Sequence, residues 1–477
     1  MKKIVALICL LAMTLPLCAC ASGSIAPAEE AKTDAEEKKP QAVTKAEEKG
    51  EIVYPDTFAI GYGRADISGP LPVAIWEDEA ETVLDPLYLT CIAVWDGEKA
   101  ALLMTADAMG VSWTVYEQCA KRVQKAYNVS PENIIINVTH SHSAPSIGSD
   151  ARWLKNFYQQ FNVVVEEALR DLAPATAFVG KGYTEDLNFV RRYQLADGSW
   201  DTNSSASDNP IAHESEADNE LRTVRFEREG KKDVLMVNWQ AHYMSGVPEH
   251  KLSADIFGEF RKSAEAEFDC HYAYFSGSSG NLNFFSAIPG ERKYWNWKDG
   301  AAEFTRATTE ALKTEEPAQV GKISSQMSTY TATVKKDSPE RVALAKKIAS
   351  TTDATLKSQM VREYGFLSKY EASAVVTRSE MGDTKDIHFF AITFGDIAIS
   401  TAPFEQFDTN GQEVRAASPF KQTFTLSMTN ESNNYVPSEL AEEHMSYEVS
   451  TCRFEKGSGS AFRNEQIRLL NECKAAS

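Results

Sequence analysis

The chain has 477 residues, of which 43% are hydrophobic and 25% are charged, and these proportions are ordinary for a globular protein. Its formal net charge of −19 argues against nucleic acid as a partner, because phosphate binding needs clustered lysine and arginine. This length can supply the core of one large α/β domain or of two to three smaller domains.

The N-terminus is typical of a bacterial export signal. Two lysines precede an apolar stretch at positions 4–17, which is too short for a comfortable transmembrane helix. The sequence at 17–20, LCAC, then resembles a lipobox. We therefore expect a signal peptide at 1–19 and lipidation of Cys20. Cys18 is the rival acceptor, and ordinary secretion with cleavage near Ala21 is the alternative.

A low-complexity segment rich in alanine, glutamate and lysine follows the predicted anchor. Because it lacks large apolar side chains, residues 20–52 are expected to form a lipidated, solvated tether, and residues 53–477 the folded domain. These features predict an extracytoplasmic protein that is held at a membrane by lipid. Five cysteines remain in the folded region without an obvious pairing, so we expect buried free thiols.

The first part of the folded region alternates predicted strands and helices. Two buried strands flank a turn at Asp96-Gly97, and a helix is expected from Ser112 or Thr114 to about Tyr127. A further strand precedes a helix across 151–172. This alternation predicts an α/β fold with a mixed β-sheet core and flanking helices.

The later part contains a long polar stretch at 182–221, and a loop of this length in a compact domain favours a functional role. A helix capped by Ser253 is expected to end near Phe268. Further helices are predicted at 295–312 and within 339–370.

Three predicted strands end in groups that are costly to bury. The apolar run at 134–138 leads to His140 and His142, while other strands end at His242 and Glu405. In an extended chain, His140 and His142 would point to the same side. Strand ends of an α/β sheet share a crevice, and imidazoles with a carboxylate form the ligand set of catalytic zinc. The alternative for any one of these histidines is a hydrogen-bonded boundary residue.

Nine short motifs occur in order between Gly63 and Glu439: GRADISGP, DPLYLTCIAVWDG, TADAMG, NVTHSHSAPS, NWQAH, LSADIFG, GSSGNLN, APFE and NYVPSE. Together they resemble the catalytic domain of the neutral/alkaline non-lysosomal ceramidase family. The resemblance runs from about Phe58 to Tyr447 and implies the α/β fold of that domain. Family members carry a C-terminal β-sandwich, whereas this chain ends about forty residues after Tyr435, so we expect the catalytic domain alone.

The resemblance also implies an activity and roles for particular residues. The family's zinc ligands fall on His140, His242, Glu405 and Tyr435, and its second TH-x-H histidine falls on His142, which would stabilise the oxyanion. The implied reaction is zinc-dependent hydrolysis of an N-acyl amide, either ceramide or another N-acyl lipid or small amide, by metal-activated water. One zinc ion per chain is expected, and a structural Ca²⁺ or Mg²⁺ stays open.

Two segments qualify this expectation. Asn283 occupies the position of the family's catalytic serine, although a shifted alignment offers Ser279 or Ser278. The segment 188–194 resembles an arginine-bearing segment of the family, so Arg191 and Arg192 are expected to bind a polar substrate group, with a surface loop as the alternative. Because the serine is replaced, the competing prediction is a non-catalytic extracytoplasmic binding lipoprotein on the same fold.

Overall fold

The structure is a computed structural model that describes residues 51–242, 246–291 and 296–476. The predicted signal peptide, Cys20 and nearly all of the tether lie outside the described residues. Ile52–Ser477 forms one compact unit. In the described ranges, no helix has both the length and the apolar character needed to cross a membrane.

The strands of the described residues are, in chain order, β1 (Ala59–Asp66), β2 (Val73–Ile75), β3 (Asp78–Ala80), β4 (Thr82–Val83), β5 (Tyr88–Trp95), β6 (Ala100–Ala106), β7 (Ile134–Val138), β8 (Ala173–Tyr183), β9 (Phe189–Val190), β10 (Arg192–Leu195), β11 (Trp200–Thr202), β12 (Pro210–His213), β13 (Glu220–Arg228), β14 (Val234–Trp239), β15 (Lys251–Leu252), β16 (His271–Ser276), β17 (Leu282–Asn283), β18 (Glu316–Ala318), β19 (Ile323–Thr333), β20 (Thr384–Phe394), β21 (Ile397–Thr401), β22 (Phe404–Gln406), β23 (Gln422–Leu426) and β24 (Asn433–Val436).

The α-helices of the same residues are α1 (Trp113–Tyr127), α2 (Ala151–Arg170), α3 (Asp255–Phe268), α4 (Trp297–Lys313), α5 (Pro339–Ser350), α6 (Ala354–Glu363), α7 (Lys369–Glu380), α8 (Asp408–Ala416), α9 (Tyr447–Thr451) and α10 (Ser458–Ala475).

A nine-stranded mixed sheet forms the centre of the fold. Its strands lie in the order β16-β14-β13-β8-β1-β5-β6-β7, and β18 pairs with β8 outside this order. The neighbours β6 and β7 run parallel, as do β14 and β16, whereas the other pairs are antiparallel. The predicted α/β class with a mixed sheet and flanking helices is confirmed.

Two glycines of β1 allow α2 to lie directly on this sheet. A Cβ atom added at Gly61 would stand 1.9 Å from the carbonyl oxygen of Ala168, and one at Gly63 would stand 2.4 Å from that of Val164. Helix α2 turns its buried face, which includes Trp153 and Phe157, toward the apolar core. Any larger residue at the two glycine positions would push helix and sheet apart.

A second, four-stranded sheet has the order β19-β20-β21-β23. The helices α5, α6 and α7 are inserted between β19 and β20, and they share a small apolar core of their own. The guanidinium of Arg378 ties α7 to α9, since it donates to the carbonyl oxygens of Ser450 at 3.0 Å and Cys452 at 2.9 Å. Arg378 also pairs with Asp337 at 2.8 Å, so the inserted helices are firmly attached to the main body.

Several predicted elements agree with the structure. The Asp96-Gly97 turn joins the antiparallel strands β5 and β6. Helix α1 begins after Ser112, whose hydroxyl accepts a hydrogen bond from the Val115 N–H at 3.3 Å. The five cysteines of the folded region are buried and free, as expected.

Other boundaries were wrong. Helix α3 is capped by Ala254 rather than Ser253. The Ser253 hydroxyl instead donates to the Asp85 carboxylate at 2.5 Å, although it also accepts from the Asp255 N–H. The hairpin of β20 and β21 ends at Thr401, so Glu405 belongs to the separate strand β22. The polar stretch 182–221 is not a plain loop, because it contains the three-stranded sheet β11-β10-β12.

Candidate active site

The two histidines after β7 are held by a turn rather than by an extended strand. Strand β7 ends at Val138, and His140 has a φ of 63°, so the argument that an extended chain aligns His140 with His142 was wrong. The His140 N–H donates to the carbonyl of Ala108 at 3.0 Å, which fixes the turn beside the end of β6. The two imidazole rings nevertheless lie close, with centroids 4.9 Å apart and planes at 90°.

Ligand atoms from three chain segments meet at the end of the central sheet. His140 Nε2 and His242 Nδ1 each lie 3.5 Å from Glu405 Oε2, and His142 Nε2 lies 3.4 Å from His140 Nε2. In tetrahedral zinc sites with bonds of about 2.0–2.1 Å to nitrogen and oxygen, neighbouring ligand atoms are about 3.3–3.4 Å apart. The spacing of these side chains therefore fits a small divalent cation.

Two atoms in this group lack a hydrogen-bond partner. His242 Nδ1 and Glu405 Oε2 are buried and make no hydrogen bond with the described residues, and their polar contacts here are the long ones at 3.5 Å. A buried polar atom without a partner is costly, and a cation between these two acceptors would remove that cost. His140 supports the same interpretation, since its Nδ1 donates to the Met109 carbonyl at 2.7 Å and leaves the Nε2 lone pair directed at the group.

The third position of the metal set has two candidates. His140, His142 and His242 have ligand atoms that all lie within 4.8 Å of one another. Glu405 is the alternative third member, and it contributes the negative charge that the three imidazoles lack. The residues present thus fit a zinc-type site, with either His142 or Glu405 completing the pair formed by His140 and His242.

Burial keeps two of the three imidazoles neutral. It lowers the pKa of His142 well below the usual value, helped by the charge of His140, and it lowers the pKa of His242 in the same way, helped by Arg191. Burial also lowers the pKa of His140, but the adjacent Glu405 carboxylate outweighs it and the net shift is upward. Neutral imidazoles have the free lone pair that a metal ion requires.

Tyr435 stands beside this group. It pairs with Glu405 across the two-stranded parallel sheet of β22 and β24, and its ring centroid lies 6.3 Å from that of His242. Burial raises the pKa of the Tyr435 phenol well above its usual value, and the Glu405 charge raises it further. In the absence of a cation, the phenol therefore keeps its proton at neutral pH.

Comparison with known proteins decides the fold family. No protein-family model and no curated protein matches the chain. Among solved structures, a neutral ceramidase from Pseudomonas aeruginosa is similar, with a TM-score of 0.67 and 15% sequence identity over 88% of this chain and 75% of that chain. A ceramidase complexed with C2 gives a TM-score of 0.64 and 16% identity over 88% and 76% of the two chains. The chain has the neutral ceramidase fold. The resemblance that the ordered motifs predicted is confirmed at the level of the fold.

Within this ceramidase fold, the two predicted substrate-binding arginines have different surroundings. Arg191 lines the cleft, donates to Glu448 at 2.9 Å and lies with its guanidinium 5.3 Å from the Tyr435 ring centre. Arg192 is not part of the cleft wall. Its donors are taken by Glu214 at 2.7 Å, by Glu448 at 3.1 Å and by main-chain carbonyls, so it stabilises the protein interior rather than facing a substrate.

Asn283, which the motif resemblance aligns with the family's serine, also stands behind the cleft wall. It is buried in β17, its side-chain N–H donates to Asn203 at 2.9 Å, and its side-chain oxygen accepts from the Phe284 N–H at 2.8 Å. Asn203, and not Asn283, lines the cleft. The alternative Ser278 is buried and bonded to Gln406 at 3.1 Å, so it does not reach the cleft wall either.

The cleft has a volume of about 970 Å³ and opens over the histidine group. Its wall includes aromatic residues that motif reasoning missed, namely Trp76, Tyr370 and Tyr447. Trp76 belongs to a short hairpin and Tyr370 to the inserted helix α7, so no strand-end pattern indicated either of them. Tyr447 lies at the end of the stretch that resembles the ceramidase family, and that position was the only sequence signal for it.

Proposed function

We propose that the protein is a metal-dependent hydrolase that cleaves an N-acyl amide bond, with zinc as the resident ion. The observation that carries this proposal is the group of His140, His242 and Glu405 in a ceramidase fold, in which the buried atoms His242 Nδ1 and Glu405 Oε2 lie 3.5 Å apart and make no hydrogen bond with the described residues. Such a pair is unfavourable in a protein that binds no cation at this position.

The ligands would be His140, His242 and Glu405, with Tyr435 beside them. When bound, the ion would supply Lewis-acid polarisation of the amide carbonyl and a water of lowered pKa. The carboxylate of Glu405 offsets positive charge that would otherwise accumulate among buried imidazoles. The Met109 carbonyl holds the His140 ring in the orientation that metal binding needs.

His142 would stabilise charge on the reacting carbonyl oxygen. Its ring lines the cleft, and because its pKa is lowered it is neutral and has one N–H to donate. The buried guanidinium of Arg191 adds a fixed positive charge on the same wall. We assign both residues to the reacting end of the substrate, while Arg192 and Asn283 have supporting roles behind the wall.

The proposed substrate class is an N-acyl amide, either an N-acyl lipid such as ceramide or a smaller amide. The similar structures are ceramidases, which suggests this class, and a cleft lined by both aromatic and polar residues suits an acyl chain joined to a polar amine. The export signal and the lipobox at Cys20 lead us to propose an extracytoplasmic, membrane-anchored location.

A binding lipoprotein is the second candidate. The replacement of the ceramidase serine by Asn283, whose side chain is taken up by Asn203 and Phe284, favours it. A binding role gives no reason, however, for the unpartnered His242 and Glu405 atoms. Metal content and then turnover separate the two candidates.

Elemental analysis of the purified protein tests the proposal. We expect about one zinc ion per chain, and loss of the ion in His140→Ala and in His242→Ala. His271→Ala is the matched control, because this half-buried histidine stacks on Tyr62 outside the cleft. Turnover of N-acyl amides, ceramide first, follows on the zinc-loaded protein. A wild-type chain that retains no transition metal after zinc addition and dialysis would rule out the hydrolase.

A further inference from the structure

Six aromatic side chains form a closed circuit on the wall of the cleft. The circuit runs His142, Trp76, Tyr370, Tyr447, Tyr435 and His242, with successive ring centroids 5.3, 5.8, 5.8, 5.4 and 6.3 Å apart and a closing distance of 5.4 Å back to His142. All six side chains line the same cleft. A substrate whose scissile bond reaches the histidines therefore lies against some of these rings.

Trp76 is the member of the circuit whose position is fixed most directly to the reacting end. It occupies the two-residue turn between β2 and β3, in which Ile75 pairs with Asp78. Its main-chain N–H donates to the carbonyl of His142 at 3.3 Å, and its ring lies 5.3 Å from the His142 ring. The indole thus stands at a set distance from the proposed oxyanion-stabilising group.

The next residue, Glu77, fixes Tyr370, which is the other neighbour of Trp76 in the circuit. The Glu77 carboxylate accepts a hydrogen bond from the Tyr370 hydroxyl at 2.8 Å and forms an ion pair with Lys369. Because Lys369 and Tyr370 begin helix α7, Glu77 joins the Trp76 hairpin to the inserted helices. Helix α7 is itself anchored through Arg378, so the Trp76–Tyr370 contact is a fixed wall of the cleft.

Behind Trp76 lies a second cavity of about 350 Å³. Five of its lining residues also line the main cleft, namely Ile75, Trp76, Glu77, Met109 and Ser146, and Ala74 and Ser149 complete it. The indole is therefore part of the boundary of both spaces. Replacement of the indole by a smaller side chain would enlarge the apolar room beside His142.

We propose that Trp76 is a specificity-determining residue: its indole, which stands beside His142 and borders both spaces, limits the room that the cleft offers to the acyl chain of the substrate. The expected change in turnover rests on the proposed hydrolase function, whereas the expected change in the binding of carboxylic acids does not. An acyl chain that lies along these rings buries apolar surface against the indole, and a smaller side chain at this position leaves room for a longer chain.

The test is a chain-length profile for wild type, Trp76→Ala and Trp76→Leu. Turnover of N-acylethanolamines with acyl chains of increasing length is followed by release of the amine. Binding of the corresponding free carboxylic acids is measured by calorimetry on the same zinc-loaded proteins. We expect both profiles to shift to longer chains in Trp76→Ala, with the ratio of kcat/KM for long over short chains rising about tenfold, and a smaller shift in Trp76→Leu.

Trp113→Ala is the matched control, because this tryptophan stacks on His388 outside the cleft and its loss leaves the cleft wall intact. It should reproduce the wild-type profile. Thermal denaturation checks that both Trp76 variants are folded. Equal chain-length profiles in wild type and both folded variants would overturn the inference. If wild type turns over no amide but the acid-binding profile shifts in Trp76→Ala, the inference stands and the hydrolase proposal fails. The reverse result, turnover without any shift, rejects the inference alone.

Discussion

Glu405 faces Tyr435 directly in the register of the two-stranded parallel sheet formed by β22 and β24. The register shifts between Phe404 and Glu405, and this irregularity lies at the point where the carboxylate reaches toward His140 and His242. The pairing of β22 with β24 therefore places both Glu405 and Tyr435 beside the histidine group.

Replacement of the Glu405 carboxylate should weaken metal binding. Glu405→Gln keeps the size of the side chain but removes the negative charge that lies 3.5 Å from each of two imidazole nitrogens. We expect zinc affinity, measured by competition with a chromophoric chelator, to fall by at least about tenfold, which is the lower end of the effect of changing even an outer-sphere partner. The exposed Glu439→Gln serves as control, and equal affinities in all three proteins would exclude Glu405 as a ligand.

Removal of the Tyr435 hydroxyl should change the coordination of the metal ion without abolishing its binding. Tyr435→Phe preserves the ring contacts with Tyr447 and Arg191 but removes the hydrogen bonds of the hydroxyl to these two side chains, so the fold of the variant is checked by thermal denaturation. If the phenol coordinates the ion, the visible absorption spectrum of the cobalt-substituted variant will differ from that of wild type, while about one ion per chain is retained. An unchanged cobalt spectrum would place the Tyr435 oxygen outside the coordination sphere. Tyr330→Phe, a tyrosine outside the cleft wall, is the control.

The sequence predicted those parts of the site that depend on local pattern. His140, His242 and Glu405 stand where apolar runs stop, and a charged or imidazole group at such a point is visible without tertiary information. For these three side chains to lie close together, it was enough that the segments carrying them end on the same side of the fold. The wrong detail, the extended geometry between His140 and His142, failed because a positive φ at His140 depends on hydrogen bonding to Ala108.

The aromatic wall could not be predicted, because its members meet only through tertiary contacts. Glu77 and Tyr370 are 293 residues apart in the chain, yet they are joined by a hydrogen bond. The surroundings of Arg192 and Asn283 could not be predicted for a related reason. Both residue types are compatible with a role at the substrate, and only the structure shows that Arg192 pairs with Glu214 and that Asn283 donates to Asn203.

Because β1 and α2 lie in close contact, we expect substitutions at the contact to lower the stability of the protein. Gly61→Ala or Gly63→Ala would bring a Cβ atom into the main chain of α2, which cannot move without disturbing the core. We expect each to lower the free energy of unfolding by about 1–3 kcal/mol, the usual effect of overpacking. Gly382→Ala is the control, since its nearest neighbour, Thr384 O, would lie at an ordinary 3.6 Å. Chemical denaturation of the three variants measures the difference, and equal midpoints would contradict the packing argument.

The buried Glu448 makes a prediction about acid stability. Burial alone would raise the pKa of its carboxyl, but the charges of Arg191 and Arg192 outweigh this effect and hold the pKa below its ordinary value of 4.5. A carboxyl whose pKa is lower in the folded state stabilises the protein above its unfolded pKa, and that stability is lost as the pH falls through the folded value. Glu448→Gln should therefore lower the Tm clearly at pH 7, and the gap to wild type should narrow below about pH 4.5. Because the exposed Glu439→Gln lacks these partners, its Tm should follow wild type throughout. A gap that stays constant down to pH 3 would mean that the two arginines do not depend on the Glu448 charge.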